Sequence, residues 1–108
     1  MYKLIRDNIP ELAKQNRTPI KYAAVDDKDF LFELLLNKLK EELNEFNEAL
    51  NEDNKEHAIE ELADVMTVIG GLASCLVSKD ALNKAYATKL ETNGGFDKHY
   101  ILLEENKE

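Results

Sequence analysis

The sequence predicts an all-α fold in which two long helices form a hairpin, and hairpins form a four-helix bundle when the chain oligomerises. Apolar residues recur every three or four positions through two long segments, as one face of a helix requires. A polar break at residues 51–54 separates the segments and is short enough to make the two helices antiparallel neighbours. The chain has 108 residues, which allows a single domain over residues 1–108.

Charge and composition limit the classes of partner. The chain carries 22 acidic and 14 basic residues, a formal net charge of −8, which argues against nucleic acid and anionic membranes and favours cations. Its single cysteine, Cys75, excludes an internal disulfide. The most apolar stretch, residues 65–77, is shorter than the roughly 18–20 residues that span a bilayer, and the first residues lack a secretory signal. We therefore expect a cytoplasmic protein that binds neither nucleic acid nor membranes.

The first two helices are predicted from their start signals. A short helix is expected over residues 9–15, because Pro10 lies in the first turn behind an asparagine. A long helix begins behind Asp26 or Asp27, either of which can cap it, and runs to the polar break. Its apolar stripe consists of Leu36, Leu39, Leu43, Phe46 and Leu50.

The third helix is predicted over about residues 55–77 and is the most apolar element. Its stripe consists of Ile59, Leu62, Met66, Ile69, Ala73 and Leu76. From Leu62 onward it is apolar on nearly every side, which is typical of a helix enclosed on all faces. One hairpin partner cannot cover those faces, so we expect at least a homodimer. Gly70 and Gly71 inside the helix indicate close approach by another helix.

The remaining segments are short. Ser78 or Asp80 is expected to cap a last helix that reaches about residue 92, where an Asn-Gly-Gly sequence ends it. Residues 20–25 and 98–103 are rich in strand formers, and the sequence leaves open a minor β ribbon between them.

Four acids lie where carboxylates are costly. Glu42 and Glu45 are three residues apart and share a helix face. Glu42 interrupts an apolar file of the second helix, and Glu61 interrupts a similar file of the third. Asp64 is the only charged residue between positions 62 and 77. A carboxylate in such surroundings must be paired, protonated or bound to a metal.

Pairing of the two helices predicts a common location for these acids. Both acid pairs lie two to three turns from the polar break, so an antiparallel hairpin places them at one level. Like charges repel there, and a donor set of oxygens without Cys or His selects hard cations such as Mg²⁺ or Mn²⁺. The alternative is a solvated acidic face, which explains most single glutamates; the matched pairs favour a metal site.

The acid motifs resemble those of a known superfamily. Residues 38–45, KLKEELNE, and 60–65, EELADV, are similar to the E-E-x-x-E and E-x-x-D motifs of the MazG-like, all-α NTP pyrophosphohydrolases. The opening residues 2–11 and the Gly-Gly-Phe at 94–96 resemble the phosphoribosyl-ATP pyrophosphohydrolase-like subgroup.

The resemblance implies a Mg²⁺-dependent nucleoside triphosphate pyrophosphohydrolase. Such an enzyme cleaves between the α and β phosphates and releases a nucleoside monophosphate and pyrophosphate, with removal of unwanted nucleotides as one role. Hydrolysis of phosphoribosyl-ATP is the alternative within the enzyme class. From another class, the alternative is a non-catalytic helical interaction module whose acids hold a structural cation or face water.

The resemblance also assigns residues. The implied metal ligands are Glu42, Glu45, Glu61 and Asp64. Glu41, the first acid of the motif, completes the implied catalytic set as an outer partner or by orienting the attacking water. The implied phosphate-binding residues are Lys3, Arg6 and Lys89. Arg6 has the strongest case because a guanidinium fork suits phosphate, although Asp7 or Glu11 would equally pair with it.

Two positions stand apart from these assignments. Asn93 precedes the Gly-Gly-Phe turn, where the subgroup typically has an arginine. His57 is interpreted as a solvated side chain at the start of the third helix.

Overall fold

The structure, a computed structural model, describes residues 2–103 and contains four helices and no strand within that range. The helices are α1 (Ile9–Gln15), α2 (Lys28–Asn51), α3 (Lys55–Leu76) and α4 (Lys79–Asn93). The predicted all-α class is therefore confirmed, and each predicted helix is present with ends within two residues of the expected ones.

Side chains cap three of these helices. Asp27 is the N-cap of α2 and accepts hydrogen bonds from the backbone N–H of Asp29 at 2.9 Å and of Phe30 at 3.3 Å. Ser78 Oγ caps α4 by accepting from the N–H of Ala81 at 3.0 Å. Of the paired candidates in the sequence, the structure thus selects Asp27 and Ser78. Asn54 caps α3 in the same way, which closes the hairpin turn.

Helices α2 and α3 form the predicted hairpin, and the side chains that join them belong mainly to the apolar files that Glu42 and Glu61 interrupt, not to the two stripes. The residues buried between them are Leu34, Leu35, Glu42 and Ala49 of α2, and Ala58, Glu61, Val65 and Val68 of α3. At Gly71 the backbone of α3 lies close to the Leu35 side chain of α2, because a Cβ built on this glycine would lie 3.0 Å from Leu35 Cδ2. Gly70 has more room, with Lys79 Cε at 3.7 Å from its built Cβ.

The two predicted stripes lie at the margin of the hairpin rather than between its helices. We call Leu36, Leu39, Leu43, Phe46 and Leu50 the α2 stripe, and Ile59, Leu62, Met66, Ile69, Ala73 and Leu76 the α3 stripe. Ile59 is 66% exposed, Met66 74% and Leu76 71%. The expectation that α3 is enclosed on all faces is therefore not met within one chain, because α2 and α4 cover only part of its circumference.

Helix α4 turns away from the hairpin. Its axis is bent by 111° from that of α3, and it contacts α3 but not α2. No single helix of residues 2–103 is both long and apolar enough to cross a membrane; α3 and α4 reach that length and composition only when joined across the bend.

The minor β ribbon is not present. Residues 20–25 and 98–103 have no regular secondary structure, and the latter are exposed throughout. A two-stranded ribbon is marginal in water without a third strand or a helix to pack against, so strand-forming residues alone do not produce one.

Candidate active site

The hairpin gathers three of the four predicted acids. One carboxylate oxygen from each of Glu42, Glu45 and Glu61 lies within 4.8 Å of the other two. Glu42 is 4% exposed and Glu61 6%, whereas Glu45 is half-buried. The α-helical repeat places Glu42 and Glu45 on neighbouring turns of one face, and the hairpin sets Glu61 opposite them. These three residues form what we call the acid cluster.

The acid cluster is short of positive charge. The pKa of Glu61 is raised to about 7 by the close approach of the Glu42 carboxyl, by burial, and by the proximity and charge of Glu45. Oε2 of Glu42 and Oε2 of Glu61 are buried and have no hydrogen-bond partner in the described part of the chain. Buried carboxylates in this state require a proton or a cation.

Two basic side chains approach the acid cluster from its own helices. Lys38 Nζ lies 3.2 Å from Glu42 Oε1 and 3.5 Å from Glu41 Oε1. His57 Nε2 lies 2.9 Å from Glu61 Oε1. Each of them contacts one oxygen of its buried carboxylate, which leaves the other carboxylate oxygen, Oε2, free to bind a cation.

Glu41 lies beside the acid cluster rather than in it. Lys3 Nζ is 3.0 Å from Glu41 Oε1. This hydrogen bond with Lys3 is the main reason that the pKa of Glu41 is lowered, and the charge of Lys38 adds to the effect. The same contact raises the pKa of Lys3. At neutral pH the two side chains are therefore held as an ion pair at the edge of α2.

Asp64 also stands apart from the acid cluster. It lies one turn further along α3, where the guanidinium of Arg6 forms an ion pair with it. Arg6 also donates a hydrogen bond to Thr67 Oγ1 at 3.2 Å. The sequence left Asp7 or Glu11 as partners of Arg6, whereas the structure selects Asp64.

The N-terminal segment, residues 2–8, thus contacts both acidic helices: Lys3 binds α2, and Arg6 binds α3. Tyr2 fixes the beginning of the segment by an edge-to-face contact with Phe30, with ring centroids 5.9 Å apart. Between this segment, α1 and the hairpin lies a cavity of about 580 Å³. Its polar lining includes Arg6, Lys38, Glu42, Asp64 and Thr67, and its apolar lining includes Leu4, Leu12, Leu31, Leu35 and Val68. This volume is within the range of small-molecule sites.

Lys89 is not brought to this location. It is exposed on α4, whose contacts are with α3 alone among the helices, and it forms no ion pair with residues 2–103.

Sequence reasoning missed one neighbour of the acids. His57 was interpreted as solvated, but it is paired with Glu61, four residues later on the same helix. Residues four apart on a helix are neighbours, so this spacing was the available signal. Lys38, a base that lies near the acids in the sequence, stands in the same relation to Glu42.

The fold and the site define an all-α protein that positions buried carboxylates beside a cavity of nucleotide size, as expected of the MazG-like class. A family model described as phosphoribosyl-ATP pyrophosphohydrolase (PRA-PH) matches residues 7–77, and the chain belongs to this family of enzymes acting on acid anhydrides. The matched range contains the acid cluster and Asp64 but not Lys3, Arg6 or Lys89. No curated protein and no solved structure matches the chain significantly. Membership of an enzyme family argues against a non-catalytic interaction module.

Proposed function

We propose that this pyrophosphohydrolase is Mg²⁺-dependent and cleaves the α–β phosphate bond of a nucleoside triphosphate, giving a nucleoside monophosphate and pyrophosphate. The acid cluster is the observation that carries the proposal. Its three carboxylates come within 4.8 Å of one another in a largely buried position, an arrangement that costs free energy unless a cation neutralises it. A role in removing unwanted nucleotides is consistent with this activity.

The donor atoms fit a hard divalent cation. All three groups of the acid cluster offer carboxylate oxygens, which suit Mg²⁺ and Mn²⁺. The Oε2 atoms of Glu42 and Glu61 are buried and have no hydrogen-bond partner in residues 2–103, so both are available to bind a cation. Glu45 would supply the third oxygen. Asp64 would join as a fourth ligand if Arg6 turned from its carboxylate to the substrate.

When bound, the cation would neutralise phosphate oxygens and lower the pKa of a bound water. The remaining roles belong to side chains of the chain. Arg6 and Lys3 lie at the edge of the site on the N-terminal segment, where their donors would bind phosphate oxygens. Glu41 would hold the attacking water in place. The apolar part of the cavity, formed by residues such as Leu31 and Val68, would accept the nucleoside.

Phosphoribosyl-ATP is the second candidate, because the matching family model is described by that activity. This substrate carries an additional phosphoribosyl group, so its site must bind one more phosphate. The cations lining the cavity are Arg6 and Lys38, and each already contacts an acid. This charge balance favours a substrate without the additional phosphate.

A substrate panel tests the proposal. Nucleoside triphosphates, deoxynucleoside triphosphates and phosphoribosyl-ATP are each incubated with the enzyme and Mg²⁺, and products are separated by anion exchange. We expect monophosphate and pyrophosphate; orthophosphate with a diphosphate would contradict the bond assignment. A kcat/KM for phosphoribosyl-ATP far above that of every triphosphate would establish the second candidate.

A matched pair of variants ties the activity to the acid cluster. Glu61→Gln is expected to abolish turnover while leaving helicity, measured by circular dichroism, largely intact. Glu60→Gln, which removes the same charge from the exposed neighbouring position, should retain activity. Full activity of Glu61→Gln would contradict a role for this carboxylate.

A further inference from the structure

His57 is a basic side chain to which the proposed function assigns no role. It lies in the first turn of α3, where its backbone N–H donates a hydrogen bond to Asn54 Oδ1 at 3.1 Å. The N-cap therefore fixes the position of the His57 backbone at the start of the helix. The imidazole is 44% exposed, and its Nε2 lies 2.9 Å from Oε1 of Glu61, whose side chain is 8% exposed. His57 thus joins the exposed end of the hairpin to a buried carboxylate.

The Glu61 carboxylate needs such a contact to keep its orientation. The last torsion of a glutamate side chain has no sharp minimum, so the helix backbone alone does not set the plane of the carboxylate. One oxygen of Glu61 lies within 4.8 Å of oxygens of Glu42 and Glu45. When these groups are ionised, repulsion between them pushes the carboxylate away from the acid cluster. The contact with His57 opposes that movement, because it holds Oε1 beside the first turn of the same helix.

The contact occupies Oε1 and leaves Oε2 for a cation. Oε2 of Glu61 is buried and has no hydrogen-bond partner within residues 2–103. Glu42 repeats the arrangement on α2: Lys38, four residues earlier, lies 3.2 Å from Oε1, and Oε2 has no partner in the same range. In both helices, a base four residues before the glutamate contacts one oxygen and leaves the second available.

The two bases differ in what they add beyond this contact. Lys38 also lies 3.5 Å from Glu41 Oε1, so its positive charge is shared between two acids. In the part of the chain that the structure describes, His57 contacts no acid other than Glu61. A neutral imidazole can make this contact, because an Nε2–H group is a donor without a positive charge. Orientation of Glu61 is therefore a contribution of His57 that does not require the imidazole to be charged.

We propose that His57 is a positioning residue of the metal site, which holds the Glu61 carboxylate in the orientation that binds a divalent cation. It acts through Glu61 and is not itself a member of the acid cluster. The inference rests on the proposed function, because it requires a cation at the acid cluster. Side chains that hold a metal ligand in place typically contribute about 10–100-fold to metal affinity.

Two polar substitutions test this role. Glutamine carries its amide nitrogen about where histidine carries Nε2, whereas the amide nitrogen of asparagine is one carbon short of that position. The Mn²⁺ affinity of the metal-free protein is measured by calorimetry without nucleotide at pH 8, where an ordinary imidazole is uncharged. We expect His57→Gln to bind Mn²⁺ within about threefold of the wild type, and His57→Asn to bind it about 10–100-fold more weakly.

The same substitution at the second histidine is the control. His99 is exposed, lies outside the acid cluster and has a positive φ of 58°, a conformation that asparagine tolerates. His99→Asn should therefore bind Mn²⁺ with the wild-type affinity. Thermal unfolding in EDTA separates positioning from a structural role, because a half-exposed pair contributes little to stability. The midpoint of His57→Asn should lie within about 4 °C of the wild-type midpoint.

The outcomes distinguish this inference from the proposed function. Wild-type affinity in His57→Asn would overturn the inference alone, and tighter binding would do so by showing that His57 only supplies positive charge. Equal weakening in His57→Gln and His57→Asn would also overturn it, because the glutamine restores the donor. If His57→Asn does not fold in EDTA, His57→Leu, a better helix former without a donor, replaces it, and failure of both to fold would assign His57 a structural role. A wild type that binds neither Mn²⁺ nor Mg²⁺ would contradict the proposed function itself, and the positioning role with it.

Discussion

Replacing Glu61 by Gln is expected to stabilise the metal-free protein at alkaline pH, although the same change abolishes turnover. The pKa of this carboxyl is about 7 in the folded protein, against an ordinary value of 4.5. Because folding raises the pKa, the carboxyl favours the folded state fully below pH 4.5. That contribution is lost as the pH rises through about 7.

The size of the effect follows from the two pKa values. The difference between them corresponds to about 3 kcal/mol at most, since one pKa unit equals about 1.4 kcal/mol. A glutamine at this position has the same shape and no charge, and its amide can donate to a carboxylate of the acid cluster. Without divalent cations above pH 7, we therefore expect Glu61→Gln to unfold with a free energy about 1–3 kcal/mol higher than the wild type. At pH 4.5 the two proteins should be nearly equal.

With Mg²⁺ present, we expect the wild type to be more stable than Glu61→Gln, the reverse of the order in EDTA. The wild type gains the binding free energy of the cation, whereas the variant offers a neutral amide oxygen in place of a carboxylate. Thermal unfolding of both proteins at equal chain concentration, from pH 4.5 to 8, with EDTA or with Mg²⁺, measures all four cases. For a domain of this size, 1 kcal/mol shifts the midpoint by about 4–8 °C.

Glu60→Gln is the matched control, because it removes an exposed charge one position away. Its unfolding midpoint should follow that of the wild type across the pH range, both with EDTA and with Mg²⁺. The reasoning would be refuted if Glu61→Gln were less stable than the wild type in EDTA at pH 8. That result would mean that the acid cluster is neutralised by something other than a proton or a divalent cation.

Three further predictions follow from single contacts. Arg6→Ala removes the guanidinium that competes with a metal ion for the Asp64 carboxylate, and it should tighten Mn²⁺ binding by up to about fivefold. Calorimetry without nucleotide measures this affinity, and the control variant Lys21→Ala should leave it unchanged. Weaker binding by Arg6→Ala would show that Asp64 is no ligand. Leu35→Ala opens a cavity in the hairpin, where this leucine is 6% exposed, and should lower the unfolding free energy in urea by about 2–4 kcal/mol. A loss under 1 kcal/mol would argue against tight packing there. Ser78→Ala removes the cap of α4 and should cost about 1 kcal/mol in the same assay, unless α4 contributes nothing to the unfolding transition.

The sequence predicted where the helices begin and end because those signals are local. Asp27 and Ser78 sit at the N-termini of α2 and α4 and hydrogen-bond to backbone N–H groups within three residues. The faces of the helices were not predicted in the same way. Periodicity shows that one face of a helix is apolar but not which element covers that face. The α2 and α3 stripes lie at the margin of the hairpin, whereas the two helices pack together through the files that contain Glu42 and Glu61.

The candidate site shows the same limit. The spacing of Glu42 and Glu45, with the short turn before α3, was enough to bring Glu61 to them. The partner of Asp64 was not predictable, because Arg6 comes from a segment 58 residues earlier in the chain and no periodic pattern links the two. The β ribbon failed for a related reason, since residues 20–25 offer strand formers without a neighbouring strand.

The helix-to-helix contacts have a kinetic consequence. They join α2 to α3 and α3 to α4, which are consecutive along the chain. Short turns separate these consecutive helices, so little entropy is lost in closing the loops between them, and such local helix contacts are typical of folding within milliseconds. When copies of the chain then associate, that bimolecular encounter becomes the slow event, and its rate depends on the concentration of the chain.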